Sequence, residues 1–271
     1  MNNENSNVYQ RKKLRKEMIV SAIIQARMNS KRLPGKIMME IRNKPILEIL
    51  IERVRQCKTL DRIIIATTEQ KEDDVIEEFC IKKKINYVRG SEKDVLSRHL
   101  LAAKETDVIV RITSDNPLID PAIIDKGVKI YLENEFDFVS NYVPPPRTFP
   151  DGMAVEIFSN NLLKEVNKKA KKPSEREHVT FFIWKQPEKF KIYRFEHGID
   201  LSGYRFTLDY LEDFKVIEAI LNSLYKKNPK FGLEDIINWL EEHSEIKNIN
   251  THIKPNQGWN ESLHQDKKLG Y

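Results

Sequence analysis

Only two cysteines occur in 271 residues, and Cys57 and Cys80 sit in separate amphipathic stretches with no CxxC and no histidine at ligand spacing. That argues against a disulfide framework or a thiolate metal site and for reduced thiols in or near the core. The six histidines (His99, His178, His197, His243, His252, His264) are scattered and form no HExxH. Nine glycines supply neither GxGxxG nor a P-loop, because Gly35-Lys36 is followed by Ile37. Dinucleotide-binding and Walker-type readings therefore lose their usual support. No apolar run approaches the ~20 residues that span a bilayer and no leader pattern precedes the first strand, so a cytoplasmic protein with no membrane contact is expected. No repeat or low-complexity block interrupts a composition of 40% hydrophobic and 32% charged residues, which is that of a soluble globular domain.

A formal charge of +5 is a hint of nucleic-acid binding until it is localised. Arg11, Lys12, Lys13, Arg15 and Lys16 against Glu4 and Glu17 give residues 1–17 a net +3, which leaves the body near neutral at +2. This arm reads as disordered and as a weak binder of any polyanion. Met18 stands directly before the first strand and is an alternative start of translation.

What the chain does have is a regular alternation of apolar strands and amphipathic helices. Strands are expected at 19–24, 62–68, 86–89, 107–112, 136–141, 154–158, 190–195 and 204–208. Between them helices are expected at 45–54, 73–83, 94–106, 121–134, from Asn160 in two segments, 213–225 and 233–242, with Asp120 as a cap and Ser174 and Glu177 as a capping box. The fold class is α/β, a mostly parallel central sheet with helices on both faces and a small antiparallel excursion in the second half. One domain covers 18–250, followed by a polar, weakly patterned tail over 251–271.

The stretch IVSAIIQARMNSKRLPGK, residues 19–36, organises the rest: a strand suited to burial on both faces ends in a loop holding Arg27, Lys31, Arg32 and Lys36, turned by Pro34-Gly35. Open α/β sheets bind ligands where buried strands deliver such loops, and the ligand this one suits is an anion, a polyphosphate above all. The competing reading is a solvated basic turn. Asp115 ends the strand at 107–112 before Pro117 and faces the same sheet edge. Tyr142 to Gly152, with four prolines, reads as a loop over the site.

ARMNSKRLPGK, GSEKDVL (90–96), RITSDNPLID (111–120), PDGM (150–153), EREHVT (175–180), TLD (207–209) and HIKPN (252–256) stand in this order along nearly the whole chain from Met18. Together they resemble the sugar-activating nucleotidyltransferases, in particular the SpsF-like spore-coat polysaccharide cytidylyltransferases related to the CMP-Kdo and CMP-sialic acid synthetases. The resemblance implies a nucleotide-diphospho-sugar transferase sheet, GT-A-like or Rossmann-like, and transfer of CMP from CTP to an ulosonic or nonulosonic acid for surface polysaccharide, releasing pyrophosphate. It places Ala26, Arg27, Ser30, Arg32 and Lys36, with Asp94, on the nucleotide, and gives catalytic work to Arg27, Lys36 and Asp115; Thr67, at the small polar end of the strand at 62–68, is a further nucleotide-side candidate. Asp115 and Asp209 match a Mg²⁺-binding pair, a hard oxygen site of the kind that ion prefers, with helix capping as the other reading of Asp209. Tyr142, Arg147, Asp151, Glu156 and His178 are acceptor-side candidates, although Glu156 and His178 could equally satisfy buried polar groups and Arg147 stand in solvent. A homodimer is implied as well. The alternatives are a glycosyltransferase, for which Ser114-Asp115-Asn116 lacks the DxD pair, and a non-catalytic nucleotide or polyanion binder acting through the basic arm.

Overall fold

Val20–Gln25 (β1) has five of its six residues buried because neighbouring strands flank it on both edges and helices cover both faces. The computed structural model describes residues 17–255 and 257–271, so the arm expected over 1–17 lies outside the described residues apart from Glu17. After β1 come a hairpin of Glu40–Ile41 (β2) and Lys44–Pro45 (β3), then helix Ile46–Val54 (α1), strand Arg62–Thr68 (β4), helix Asp74–Lys83 (α2), strand Asn86–Gly90 (β5), helix Val95–Ala102 (α3) and strand Val108–Thr113 (β6). Helix Pro121–Glu133 (α4), strands Phe138–Ser140 (β7) and Glu156–Ser159 (β8), and helices Asn160–Lys169 (α5), Pro173–Glu177 (α6) and Phe181–Trp184 (α7) follow. Strand Ile192–Arg194 (β9) and helices Leu211–Lys227 (α8), Leu233–Glu241 (α9), Ser244–Lys247 (α10) and Gln257–Lys268 (α11) complete the order.

The seven strands of the main sheet lie in the order β5-β4-β1-β6-β8-β7-β9. β8 alone runs against its neighbours, pairing antiparallel with β6 and with β7, while the β4, β5, β6 and β9 pairings to β1, β4, β1 and β7 are parallel. The period-2 alternation of each strand divides the core. Ala22, Ile24, Ile65, Val110, Ile112 and Ile157 join one apolar cluster with α1, α4 and α8, while Ile23, Ile64, Ala66, Ile109 and Phe158 join another with α3 and α5.

From β1 the chain builds outward through β4 to β5, then returns to place β6 on the other edge of β1. The loops leaving β1 and β6 therefore diverge at their carboxyl ends, and a crevice opens between them. Lys36 and Asp115 stand on its two sides.

Four local expectations differ from the fold. Asn43-Lys44-Pro45 does not open a helix but closes the two-residue hairpin: Arg42 and Asn43 have φ of 57° and 59°, the left-handed pair such turns require, and α1 begins at Ile46. The 204–208 stretch is not a strand. Only Arg205 bridges to Asp151, while the Phe206 and Leu208 amides donate to Asp151 O and Asp115 O, so this chain crosses the strand ends rather than joining the sheet. Ser174 does not cap α6. Its amide and hydroxyl donate to Asp266, while the Glu175 carboxylate takes the amides of Lys171 and Lys172. The polar tail forms α11, which lies on α6 through Ser262 and Asp266 and inserts Trp259 among Tyr142, His178, Phe181 and Trp184. Both cysteines are free thiols, pushed up to about 12 by burial. No described helix is long and apolar enough to cross a membrane.

Candidate active site

The loop after β1 keeps one shape because it is fastened at both ends and in the middle. Ala26 N donates to Ala66 O at 3.1 Å, and the Met28 amide donates to buried Asp73 at 2.6 Å. The other oxygen of Asp73 takes the Thr68 hydroxyl at the end of β4. The Gly35 amide returns to Met28 O at 2.9 Å, and Gly35 has φ +71°, a conformation that L side chains rarely adopt. Nothing in the sequence pattern points to Asp73 as the anchor, since its position reads as a helix start.

The turn delivers Lys36 into the crevice. Its Nζ donates to Asp115 Oδ2 at 2.9 Å, Asp209 Oδ1 at 2.9 Å and Leu208 O at 2.6 Å, with 7% of the residue exposed. Burial alone would lower the Lys36 pKa, but the charges of Asp115 and Asp209 outweigh it and raise the value. Asp209 also takes Arg32 at 2.5 Å and Arg205 at 3.0 Å. Despite its burial, Lys36 and Arg32 hold the Asp209 carboxyl well below the usual carboxylate range. Arg205 continues the chain of charge to Asp151 at 2.8 Å and to fully buried Asp213 at 2.9 Å, and Asp213 accepts from the amides of Asp209 and Tyr210 at the start of α8. Asp209 is thus fixed in place rather than left to cap the helix.

A cavity of about 650 Å³ lies against this lattice. Of the residues expected in the site, Ala26, Arg27, Ser30, Arg32, Lys36, Asp115 and His178 line it. His178 Nε2 meets Ser262 Oγ at 2.8 Å and its ring stacks on Phe181 at 4.3 Å. Burial, then the charges of Arg111 and Lys185, push His178 down to about 3, so the ring is neutral at physiological pH.

Other expected residues stand elsewhere. Thr67 is 0% exposed inside β4 and does not line the cavity. Asp94 caps α3 through the Ser97 amide at 2.9 Å and pairs with Arg176 at 2.5 Å, which are structural tasks. Tyr142, Arg147, Asp151 and Glu156 do not line this cavity. The Tyr142 hydroxyl donates to Asp151 at 3.1 Å, and Arg147 lies 4.6 Å from the Tyr142 ring centre. These three join the Arg205 network beyond Asp209. Glu156 is bound to Arg111 at 2.6 Å, and Arg111 also donates to Gln25 at 2.9 Å.

Sequence reasoning missed the α11 wall and Arg98. Gly258, Glu261, Ser262 and Gln265 close one side of the cavity, and Arg98 lines another. α11 is weakly patterned and gave no signal beyond one tryptophan. Arg98 was hidden inside an amphipathic helix.

Among the described residues no cluster of three or more histidine, cysteine or acidic side chains forms a ready-made metal cage. The donors that exist, Asp115 and Asp209, converge on one point now held by the Lys36 ammonium. Asp115 lines the cavity and Asp209 stands behind it, paired with Lys36, Arg32 and Arg205; hard carboxylate oxygens of this kind are ligands that Mg²⁺ takes together with phosphate and water.

A cytidylyltransferase family model matches residues 21–237. The chain is 35% identical to the spore coat polysaccharide biosynthesis protein SpsF of Bacillus subtilis, covering 73% of this chain and 84% of that one. An 8-amino-3,8-dideoxy-manno-octulosonate cytidylyltransferase of Shewanella frigidimarina is 24% identical over 75% of this chain and 85% of its own. Among solved structures, a cytidylyltransferase from Leptospira borgpetersenii superposes with a TM-score of 0.81 at 35% identity, covering 89% of this chain and all of the other.

Proposed function

We propose, for a chain that belongs to the cytidylyltransferase family, that it transfers CMP from CTP to an acidic sugar of the ulosonic or nonulosonic class and releases pyrophosphate. The observation that carries this reading is the Lys36 ammonium held between Asp115 and Asp209 at the rim of a cavity that Arg27 also lines. Lys36 is fixed and Arg27 is available to an anion. The sugar-acid part leans on the name of the Shewanella relative, an octulosonate cytidylyltransferase.

In this reading the acceptor hydroxyl attacks the α-phosphorus of CTP in line and gives up its proton to solvent, a new P–O bond forms, and the bond to the β-phosphate oxygen breaks with its electron pair going to pyrophosphate. Charge develops on phosphate oxygens, so the protein's part is positioning and neutralisation. Arg27 binds the phosphates with a planar fork, while Lys36 and Arg32 set the orientation of Asp115 and Asp209. Asp115, a quarter exposed on the cavity side, would hold Mg²⁺ with Asp209 behind it, and the bound ion supplies neutralisation of the phosphates. The test is CTP binding and pyrophosphate release, with Asp115→Asn as the inactive control. Pyrophosphate release that persists in the variant would remove Asp115 from the reaction.

A further inference from the structure

Of the cations that line the cavity, Lys31 and Lys93 are exposed, and Lys36 and Arg32 are paired with carboxylates, as is Arg205 behind them. Arg27 and Arg98 are not: both line the cavity, and no described carboxylate forms an ion pair with either. Arg98 is the more unusual of the two. It is 2% exposed, its NH1 donates to Ser91 O at 2.8 Å, and its Nε has no partner. Its Cγ stands 3.4 Å from where a Cβ on Gly90 would lie, so the stem is held against the end of β5 and cannot swing out freely. Burial, and next the like charge of Arg27, push the guanidinium down to about 10, far enough above neutrality that it stays charged.

Asp73, Glu92 and Asp94 are near enough to favour the charge, but none forms an ion pair with it, and a buried cation with no direct ion pair, lining a cavity with a second cation, costs stability unless an anion arrives. We propose that Arg98 is a nucleotide-positioning residue that, with Arg27, holds the diphosphate end of the triphosphate, the part that leaves as pyrophosphate. The inference rests on the cytidylyl-transfer reading for the identity of its ligand. The triphosphate is preferred to the acceptor's carboxylate because Arg27 lies on the β1 loop, whose other end, Lys36, faces the carboxylates that border the reacting phosphate. Arg98 then extends the same anion track away from them, toward β5.

The experiment is calorimetric titration of the full chain with inorganic pyrophosphate, and separately with a free ulosonic acid, in wild type, Arg98→Met and Arg98→Lys. Arg98→Met keeps the apolar stem and removes the charge. The expected result is at least tenfold weaker pyrophosphate binding in Arg98→Met, partial recovery in Arg98→Lys, unchanged binding of the sugar acid, and an apo melting temperature equal to or above wild type. A purely structural arginine would instead give a lowered melting temperature with pyrophosphate affinity intact, and that result overturns the proposal. So does weakened sugar-acid binding, which would assign the anion to the acceptor, and so does wild type that fails to bind pyrophosphate. Should Arg98→Met not fold, Arg98→Lys carries the same comparison. Pyrophosphate binding that depends on Arg98 in a protein with no activity on CTP would sink the cytidylyl reading alone, whereas activity on CTP with Arg98-independent pyrophosphate binding would sink this inference alone.

Discussion

Lys36 Nζ donates to Asp209 Oδ1 at 2.9 Å across 173 residues of chain, joining the loop after β1 to the segment that leads into α8. With Asp115 at the same distance on its other side, this ammonium ties the two halves of the site together. Because it is buried and doubly paired, it acts as a fixed charge rather than a mobile one.

Lys36→Met should therefore damage both activity and stability. Loss of the ammonium that orients Asp115 and Asp209 should misplace both and cost on the order of 10² in kcat/KM. Leaving buried carboxylates without a partner costs about 3–5 kcal/mol when nothing else pairs them. Arg32 and Arg205 still hold Asp209, so the loss should fall at the lower end of that range. Steady-state kinetics with urea unfolding would check it, and a stable but inactive variant would confine Lys36 to chemistry.

A second expectation concerns Gly152, beside Asp151. Its φ is +97°, and a Cβ there would lie 2.4 Å from Phe206 C and 2.6 Å from Thr207 N, which are backbone atoms. Gly152→Ala must push the 206–207 crossing away and with it Arg205 and Asp209. Destabilisation of about 3 kcal/mol or more and loss of activity are expected. A variant with wild-type unfolding would show that this crossing moves freely.

The pH dependence of stability is set at mild acidity by two histidines. His99 and His178 are each pushed down to about 3, first by burial and then by the charge of Arg111. Between an unfolded value near 6.5 and that folded value, the unfolded chain binds protons that the folded chain refuses. Stability is then complete above about pH 6.5 and falls as pH is lowered, with a slope of about 1.4 kcal/mol per pH unit for each histidine. His178→Gln should halve this part of the slope in urea titrations between pH 6.5 and 5, above the range where carboxylates protonate. Identical slopes in the two proteins would contradict the assignment.

α11 predicts a split between binding and turnover. Trp259 touches Tyr142, His178, Phe181 and Trp184, with ring centres 5.3–6.5 Å apart. Trp259→Ala should loosen the helix that walls the cavity, raising KM for CTP severalfold with a smaller change in kcat. An unchanged KM would mean that α11 merely rests on the site.

The central strands and the β1 loop were legible because their signals are local: runs such as Ile63-Ile64-Ile65 and a dense group of cations before Pro34-Gly35. The crossing at 204–208 was not, since Phe206 and Leu208 alternate like strand residues yet are buried by what lies across the strand ends. α11 was hidden because a helix held by one tryptophan, one serine and one aspartate carries little hydrophobic periodicity. The pairing of Asp94 with Arg176 and the burial of Thr67 arise from tertiary contacts, which neither the motif match at Asp94 nor the strand end at Thr67 reveals. The lack of an ion pair to Arg98 among the described residues is likewise a property of the fold, invisible in a sequence rich in both charges.

The most direct test of cytidylyl transfer is pyrophosphate release from CTP with Mg²⁺ across a panel of ulosonic and nonulosonic acids, run beside Asp115→Asn. Release with at least one acid, dependent on CTP over other nucleoside triphosphates and lost in the variant, is the predicted result. Absence of release across the panel, together with no calorimetric binding of CTP, would contradict it.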